Sequence, residues 1–407
     1  MSDHQPHAAT RRSVLLAGGA IFGAAFLPKS AHASRNRDPR LVVIVLRGAL
    51  DGLAAVGPIG DPDYAGLHGQ LALTRAGINA GLPLNDFFVL NPGMPQFARL
   101  YREGRASIIH AVATPYRERS HFDGQDVLES GFARPGRTQS GWFNRVIEAL
   151  PKGARTAPSK GLAVGAVAPL IMRGPAPIMG WSPANLPASG DDLAMRLLAM
   201  YREGDPNLAS ALTQAIDVEK MSGRDRTQRP GGGEAAMMRQ VAEGAAKLIG
   251  SHDGPRLAAM AFDGWDTHAN EGGPTGRLAT LLSGLDGAFS AFQTGLGEAW
   301  KDTVIVAITE FGRTAKINGT TGTDHGTGTV AFLAGGAVKG GHVIADWPGL
   351  SMANLHERRD LRPTTDLRAV LKGILADHLG LSSSVLTTQI FPDSVGVAPM
   401  RDLITSS

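Results

Sequence analysis

The chain has 407 residues, of which 43% are apolar and 19% charged, with a mean hydropathy of −0.05 and a formal charge of +3. That balance is globular and excludes a disordered chain, a fibre and a multi-span membrane protein. Without a Lys/Arg run or basic–aromatic alternation, nucleic acid is not an expected partner, and the absence of cysteine excludes disulfides, thiolate metal sites and cysteine nucleophiles.

The first segment reads as an address. Thr10-Arg11-Arg12-Ser13-Val14-Leu15-Leu16 opens a moderately apolar stretch to Leu27, followed by Lys29 and the small-residue cut site Ala31-His32-Ala33. Paired arginines ahead of a weakly apolar, glycine-containing segment resemble a twin-arginine export signal. A helix of the folded domain is the alternative, but the arginines, the length and the cut site agree better with the signal. The stretch is shorter than the about 20 apolar residues of a membrane span, so no permanent anchor is expected. Cleavage after Ala33 leaves residues 34–407, and losing Asp3, Arg11, Arg12 and Lys29 lowers the formal charge to +1. The expected export partner is the twin-arginine translocase, and the expected location is the periplasm or the exterior. This route carries proteins folded in the cytoplasm, where a metal or cofactor is loaded.

Residues 34–407 read as a single α/β domain. The continuous apolar, β-branched run at 41–46 predicts a strand buried on both faces. Similar runs follow at 106–113, 162–167, 257–262, 303–309 and 330–333. Helical patterns lie between and beyond them at 95–103, 142–150, 192–201, 234–249, 277–300 and 365–379, the last opened by Pro363-Thr364-Thr365-Asp366. This alternation predicts a mainly parallel central sheet flanked by helices. Irregular insertions are expected at 165–187, rich in Pro and Gly, and at 223–233 (GRDRTQRPGGG).

In an open parallel sheet, ligands bind beyond the carboxyl ends of the strands. Asp51 follows the first run, and Arg119-Ser120-His121 follows the second. Asp266-Thr267-His268 follows the run at 257–262; Glu310-Phe311-Gly312-Arg313 and Asp324-His325-Gly326 follow the run at 303–309. Carboxylates with neutral imidazoles are the ligand set of a divalent cation, and arginines beside them can hold an oxyanion. Each piece alone has a plainer reading: Asp51 as a helix cap, Asp266-Thr267-His268 as a turn, Asp324-His325-Gly326 as a surface loop, Arg119 and Arg313 as solvated side chains. Their common position at strand ends favours a site.

Five motifs in this order resemble one family: Val43-Ile44-Val45-Leu46-Arg47-Gly48-Ala49-Leu50-Asp51-Gly52-Leu53, Arg119-Ser120-His121-Phe122, Gly264-Trp265-Asp266-Thr267-His268, Thr309-Glu310-Phe311-Gly312-Arg313-Thr314 and Thr323-Asp324-His325-Gly326. It is a bacterial, twin-arginine-exported family of unknown function, similar to a distant branch of the alkaline phosphatase/sulfatase superfamily. The resemblance implies an alkaline-phosphatase-like fold, with Asp51, Asp266, His268, Glu310 and His325 as metal ligands and Ser120 as the nucleophile. Two departures stand out. The ligand pair is spaced Asp-x-His, closer than the superfamily's Asp-x-x-x-His. Phe311 stands where the superfamily has a histidine, so one of two metal sites is altered unless Asp324 or His121 substitutes.

The implied activity is hydrolysis of a phosphate or sulfate ester, small or polysaccharide-linked. A divalent ion (Zn, Mn, Ca or Mg) would be the cofactor, with Ser120, Arg119, His121 and Arg313 as catalytic residues. The alternative is a non-catalytic periplasmic binding or assembly protein with at most one ion. A metal-free serine hydrolase lacks the Gly-x-Ser-x-Gly elbow that would support it.

Overall fold

The structure, a computed structural model, describes residues 37–150, 161–165, 167–183, 209–210, 212–214 and 233–405. The export signal, the helix expected at 192–201 and the connection at 223–232 lie outside the described residues.

The apolar run at the start becomes strand β1, Arg40–Leu46, and all seven residues are buried. Alternation along it feeds two cores: Val42, Ile44 and Leu46 point to one face, Leu41, Val43 and Val45 to the other. Helices α3 (Pro95–Arg102), α6 (Glu234–Gly250) and α7 (Arg277–Leu296) cover the first face. Helices α5 (Trp142–Ala149) and α8 (Leu367–Leu379) cover the second. Strands buried on both sides need such a three-layer arrangement, so an unbroken apolar run rather than alternation marks them.

The remaining strands of this sheet are β2 (Ala106–Ala113), β3 (Gly161–Val164), β4 (Ile178–Trp181), β5 (Leu257–Phe262), β6 (Thr303–Ile308), β7 (Thr329–Ala334), β8 (His342–Ile344) and β9 (Thr365–Asp366), while residues 56–57, 82–83 and 89–90 form a separate small antiparallel sheet. Within the large sheet the strands pair in the order β8-β2-β7-β6-β1-β5-β3-β4, with β9 beside β8 on the edge of β2. All its pairings are parallel except those of β7, which runs antiparallel to both β2 and β6. The predicted mainly parallel α/β sheet is therefore present. β1 lies between β5 and β6, so the loops leaving these three strands part around one crevice at their carboxyl ends.

Element ends differ from expectation where local chemistry intervenes. The strand expected to reach 167 stops at Val164, because Gly165 turns out at φ +139°. Within the expected irregular stretch, Ile178–Trp181 forms the edge strand β4. Helix α7 ends at Leu296, where Gly297 takes φ +52° and a 3₁₀ turn carries the chain to Asp302. Helix α8 begins at Leu367, with Asp366 accepting from the Arg368 N–H as its cap. Among the described residues, no helix is long and apolar enough to cross a membrane.

Candidate metal centre

The crevice is built from main-chain turns packed too closely for side chains. Gly48, after β1, takes φ +119°, and a Cβ there would lie 2.4 Å from the Asp266 nitrogen. Only glycine lets the β1 loop and the β5 loop cross at that distance. Two short helices complete the rim: α1 (Gly52–Ala55) and α4 (His121–Ser130), the latter following the left-handed Arg119 at φ +61°.

Four side chains converge there. Asp266 Oδ1 lies 3.4 Å from His121 Nε2, 3.1 Å from His268 Nε2 and 3.3 Å from His325 Nε2. The last two imidazole nitrogens are 2.9 Å apart. Donors around a cation with bonds of about 2.0–2.2 Å sit about 3.3–3.6 Å from one another in a tetrahedron, and the Asp266 separations from His121 and His325 match that spacing. The ligand atoms of His121, Asp266 and His325 all fall within 4.8 Å of one another.

The partners of the other ring nitrogens decide which atoms are free. His121 Nδ1 is 2.9 Å from Glu310 Oε1, so it carries the proton, and Nε2 is left buried with no hydrogen-bond partner. His325 Nδ1 donates to the Arg119 carbonyl at 3.0 Å, which turns its Nε2 lone pair toward Asp266 and His268. A metal-binding histidine is oriented in this manner, with a carboxylate or carbonyl behind it. Glu310, fully buried, also accepts from the Gly48 N–H at 2.9 Å and from Gln125 Nε2 at 3.2 Å. Burial pushes its carboxyl upward, but the His121 hydrogen bond and the Gly48 N–H outweigh that and hold it below the usual range.

The surrounding charges act differently on the individual donors. Burial raises the Asp266 carboxyl, and Arg313, His268 and His121 more than offset it, so the net direction is downward. Burial, followed by the His121 and Arg313 charges, pushes His325 below its ordinary value and favours its neutral, ligating form. For His121 the Glu310 hydrogen bond dominates and raises it.

The two arginines expected to clamp an ester are engaged otherwise. Arg313 is buried; its guanidinium donates to the carbonyls of Ala49, Gly48, Thr323 and Trp265, and to Asp266 Oδ1 at 2.5 Å. It fixes Asp266 and ties the β1 loop to the β5 loop. Arg119 pairs with Asp360 at 2.7 Å and Glu357 at 2.5 Å, and meets the cluster only through its carbonyl. Ser120 is the N-cap residue of α4, directly before His121, with its N–H donating to the Tyr116 hydroxyl at 3.2 Å. Asp324 stands outside the donor set, 3.4 Å behind His268 at Nδ1. Phe311, 1% exposed, stacks on His121 with ring centroids 5.0 Å apart and fills the space beside the cluster.

Asp51 has different partners from those expected. Its Oδ1 caps α1 by accepting from Leu53 and Ala54 N–H, and its Oδ2 lies 3.3 Å from Nε2 of the buried His68, on helix α2 (Tyr64–His68). Glu271, buried and bonded to Thr323 Oγ1 at 2.8 Å, completes this set. Burial and then the Asp51 charge push Glu271 well above the carboxylate range, so it is neutral and able to donate to Asp51. Burial opposes a charge on His68, but the Asp51 charge prevails and raises it. These directions favour an ionised Asp51, a charged His68 and a neutral Glu271, a set with no net charge, which a dry interior favours. Sequence reasoning missed His68 and Glu271, because neither follows an apolar run; full burial of a titratable side chain is the signal that finds them, and it belongs to the fold.

Among curated proteins none matches the chain in sequence. Solved structures with a distant likeness include Ps i-CgsB in complex with k-i-k-neocarrahexaose (11% identity, 89% of this chain and 77% of that chain, TM-score 0.44). Another is BT1596, a 2-O GAG sulfatase (11% identity, 89% and 73%, TM-score 0.41). A third is a protein of the alkaline phosphatase superfamily from Vibrio parahaemolyticus (13% identity, 74% and 61%, TM-score 0.31). Residues 90–390, which include every donor of the His–Asp cluster, match the DUF1501 family of proteins of unknown function, and the chain belongs to that family.

Proposed function

We propose that this protein is an exported hydrolase of phosphate or sulfate esters, small or polysaccharide-linked, that depends on one divalent cation. One observation supports this above the rest: the orphaned, buried His121 Nε2 is aimed at Asp266 Oδ1 and oriented by Glu310. His121, Asp266, His268 and His325 would hold the ion. A set of three imidazoles and one carboxylate suits Zn²⁺ or Mn²⁺ better than Ca²⁺ or Mg²⁺, which take oxygen donors. A cation held there would supply positive charge to ester oxygens and lower the pKa of a water or hydroxyl. Export is read from the paired arginines at 11–12 and the cut site at 31–33.

The chain's own residues have distinct tasks in this reading. Glu310 keeps His121 in the tautomer that frees Nε2. Arg313 is a positioning residue that holds Asp266 ionised and in place. The Ser120 hydroxyl, at the N-terminus of α4, is the nucleophile, with the first-turn N–H groups of that helix close to any developing oxyanion. Arg119 sets the loop whose carbonyl orients His325.

A second reading, a non-catalytic exported binding or assembly protein, is favoured by Phe311. Its ring stacks on His121 and offers no donor for a second cation, and two cations are what stabilise both attacking and leaving oxygens in many ester hydrolases.

Elemental analysis of the exported, folded protein followed by a panel of phosphomonoester, phosphodiester and sulfate ester on that sample tests both. Metal with turnover, both lost in Asp266→Ala, is the expected result. Metal without turnover selects the binding protein. Absence of both overturns the ion site. Ser120→Ala removes turnover if the serine is the nucleophile and spares it if water attacks directly.

A further inference from the structure

A cavity of about 460 Å³ opens beside the cluster and shares a wall with it through Asp324, whose carboxylate backs His268. Its floor is apolar, from Leu67, Ile317 and Leu355, and its rim carries Lys316, Arg358 and Arg359. Asp324 is the one carboxylate in the lining, and it accepts from Asn318 Nδ2 at 3.1 Å on the cluster side. Arg359 lies 3.6 Å from Asp360, whereas Lys316 and Arg358 have no carboxylate partner among the described residues. Uncompensated cations at the mouth of a concavity repel one another and hold a positive potential until an anion enters.

The loop that presents the two arginines is held in a costly shape. Glu357 and Arg358 both take positive φ, at +51° and +57°, which non-glycine residues in sequence rarely do. Arg119 pins this loop from the cluster side through Glu357 and Asp360, while its carbonyl orients His325. Backbone strain of this kind persists where surrounding contacts impose it, and it gathers at ligand sites. Arg119 thus couples the position of the cations to that of the metal-facing histidine.

We propose that this cavity is a subsite for a second anionic group, so that the substrate is an ester whose neutral body carries another phosphate or sulfate besides the scissile one. This rests on the reading of the cluster as a cation-dependent ester site. The body lies against Leu67, Ile317 and Leu355, and the second anion is held at Lys316 and Arg358.

The test measures kcat/KM of the metal-loaded full chain in two arms, one for each source of the anion. Glucose 1,6-bisphosphate is compared with glucose 6-phosphate, and glucose 3,6-disulfate with glucose 6-sulfate. The same ligands are titrated calorimetrically. The expected result is a preference for the doubly charged member in one arm, falling about tenfold in the Lys316→Ala/Arg358→Ala double variant, as for the loss of a charge-assisted contact.

Gly66 gives a second, steric variant. It lines the same cavity, and a Cβ there meets nothing within 4 Å, so Gly66→Phe adds bulk at the lining without altering charge; with an unchanged circular dichroism spectrum as the check on folding, the same preference should vanish. A preference absent from the parent, or kept by both variants, overturns the subsite while leaving the ester hydrolase standing. If no ester is turned over, the hydrolase reading fails, and the calorimetry decides the subsite alone. Glucose 1,6-bisphosphate or glucose 3,6-disulfate binding that weakens about tenfold in both variants supports it, and equal binding in parent and variants overturns it.

Discussion

At the scale of single residues, the geometry of the His–Asp cluster depends on groups behind it. Glu310 is completely enclosed, and its Oε1 receives His121 Nδ1, the Gly48 N–H and Gln125 Nε2 together. Truncating the side chain, Glu310→Ala, removes the acceptor of the His121 Nδ1 proton and releases the His121 tautomer. Metal affinity is expected to fall about 10- to 100-fold, the usual effect of losing a partner behind a metal-bound histidine. Competition against a chelator of known affinity measures it; unchanged affinity would remove Glu310 from the centre. The Asp51–His68 pair carries the opposite lesson. An aspartate placed after the first strand resembles a metal ligand in sequence, but one of its oxygens caps a helix and the other lies 3.3 Å from the imidazole of the buried His68, outside the His121–Asp266–His325 group.

At the scale of elements, the close crossing of the β1 and β5 loops sets where Asp266 stands. Gly48→Ala adds a Cβ that would lie 2.4 Å from the Asp266 nitrogen at a backbone angle of φ +119°. The loops must separate, at about 1–3 kcal/mol of strain, and Asp266 moves with them. Lower unfolding stability in urea together with weaker metal binding is the expected outcome, and a variant unaltered in both would show that the crossing tolerates a side chain. Helix α4 obeys the same logic. Gly124 lies where a Cβ would come within 2.9 Å of Phe311, so the helix rests on the ring that stacks on His121.

At the scale of the whole molecule, the buried Asp51–His68–Glu271 set links stability to pH. His68 and Glu271 both hold their protons more tightly in the folded protein than unfolded, so their contributions are complete in acid and fade as pH rises through their raised folded values. Asp51 runs the other way: its carboxyl is held low chiefly by His68 against the effect of burial, and its contribution is lost only as pH falls through that lowered value. As pH rises from the ordinary carboxylate range through the raised folded values of Glu271 and His68, then, unfolding free energy should decline. Glu271→Gln keeps a neutral donor toward Asp51 and flattens that decline, which urea titrations at several pH values would measure. Parallel curves for parent and variant would mean that Glu271 ionises as freely in the folded chain as in the unfolded one.

The sequence by itself determined the layers and the edge at which the carboxylates and imidazoles gather. Continuous apolar runs such as 41–46 can be buried on both faces only in a helix-covered parallel sheet, and polar residues that follow them must emerge at the carboxyl ends. Asp266, His268, Glu310 and His325 were legible for that reason. Tertiary structure alone decided that β7 runs antiparallel, that His121 rather than Asp51 joins the donors, that Arg313 is enclosed by main-chain carbonyls, and that His68 and Glu271 share a dry interior with Asp51. Those outcomes turn on distances between segments far apart in the chain, in His68 and Glu271 by some two hundred residues. Local patterning places a residue on an edge; which oxygen faces which nitrogen is set by how the loops pack once burial has fixed the strands.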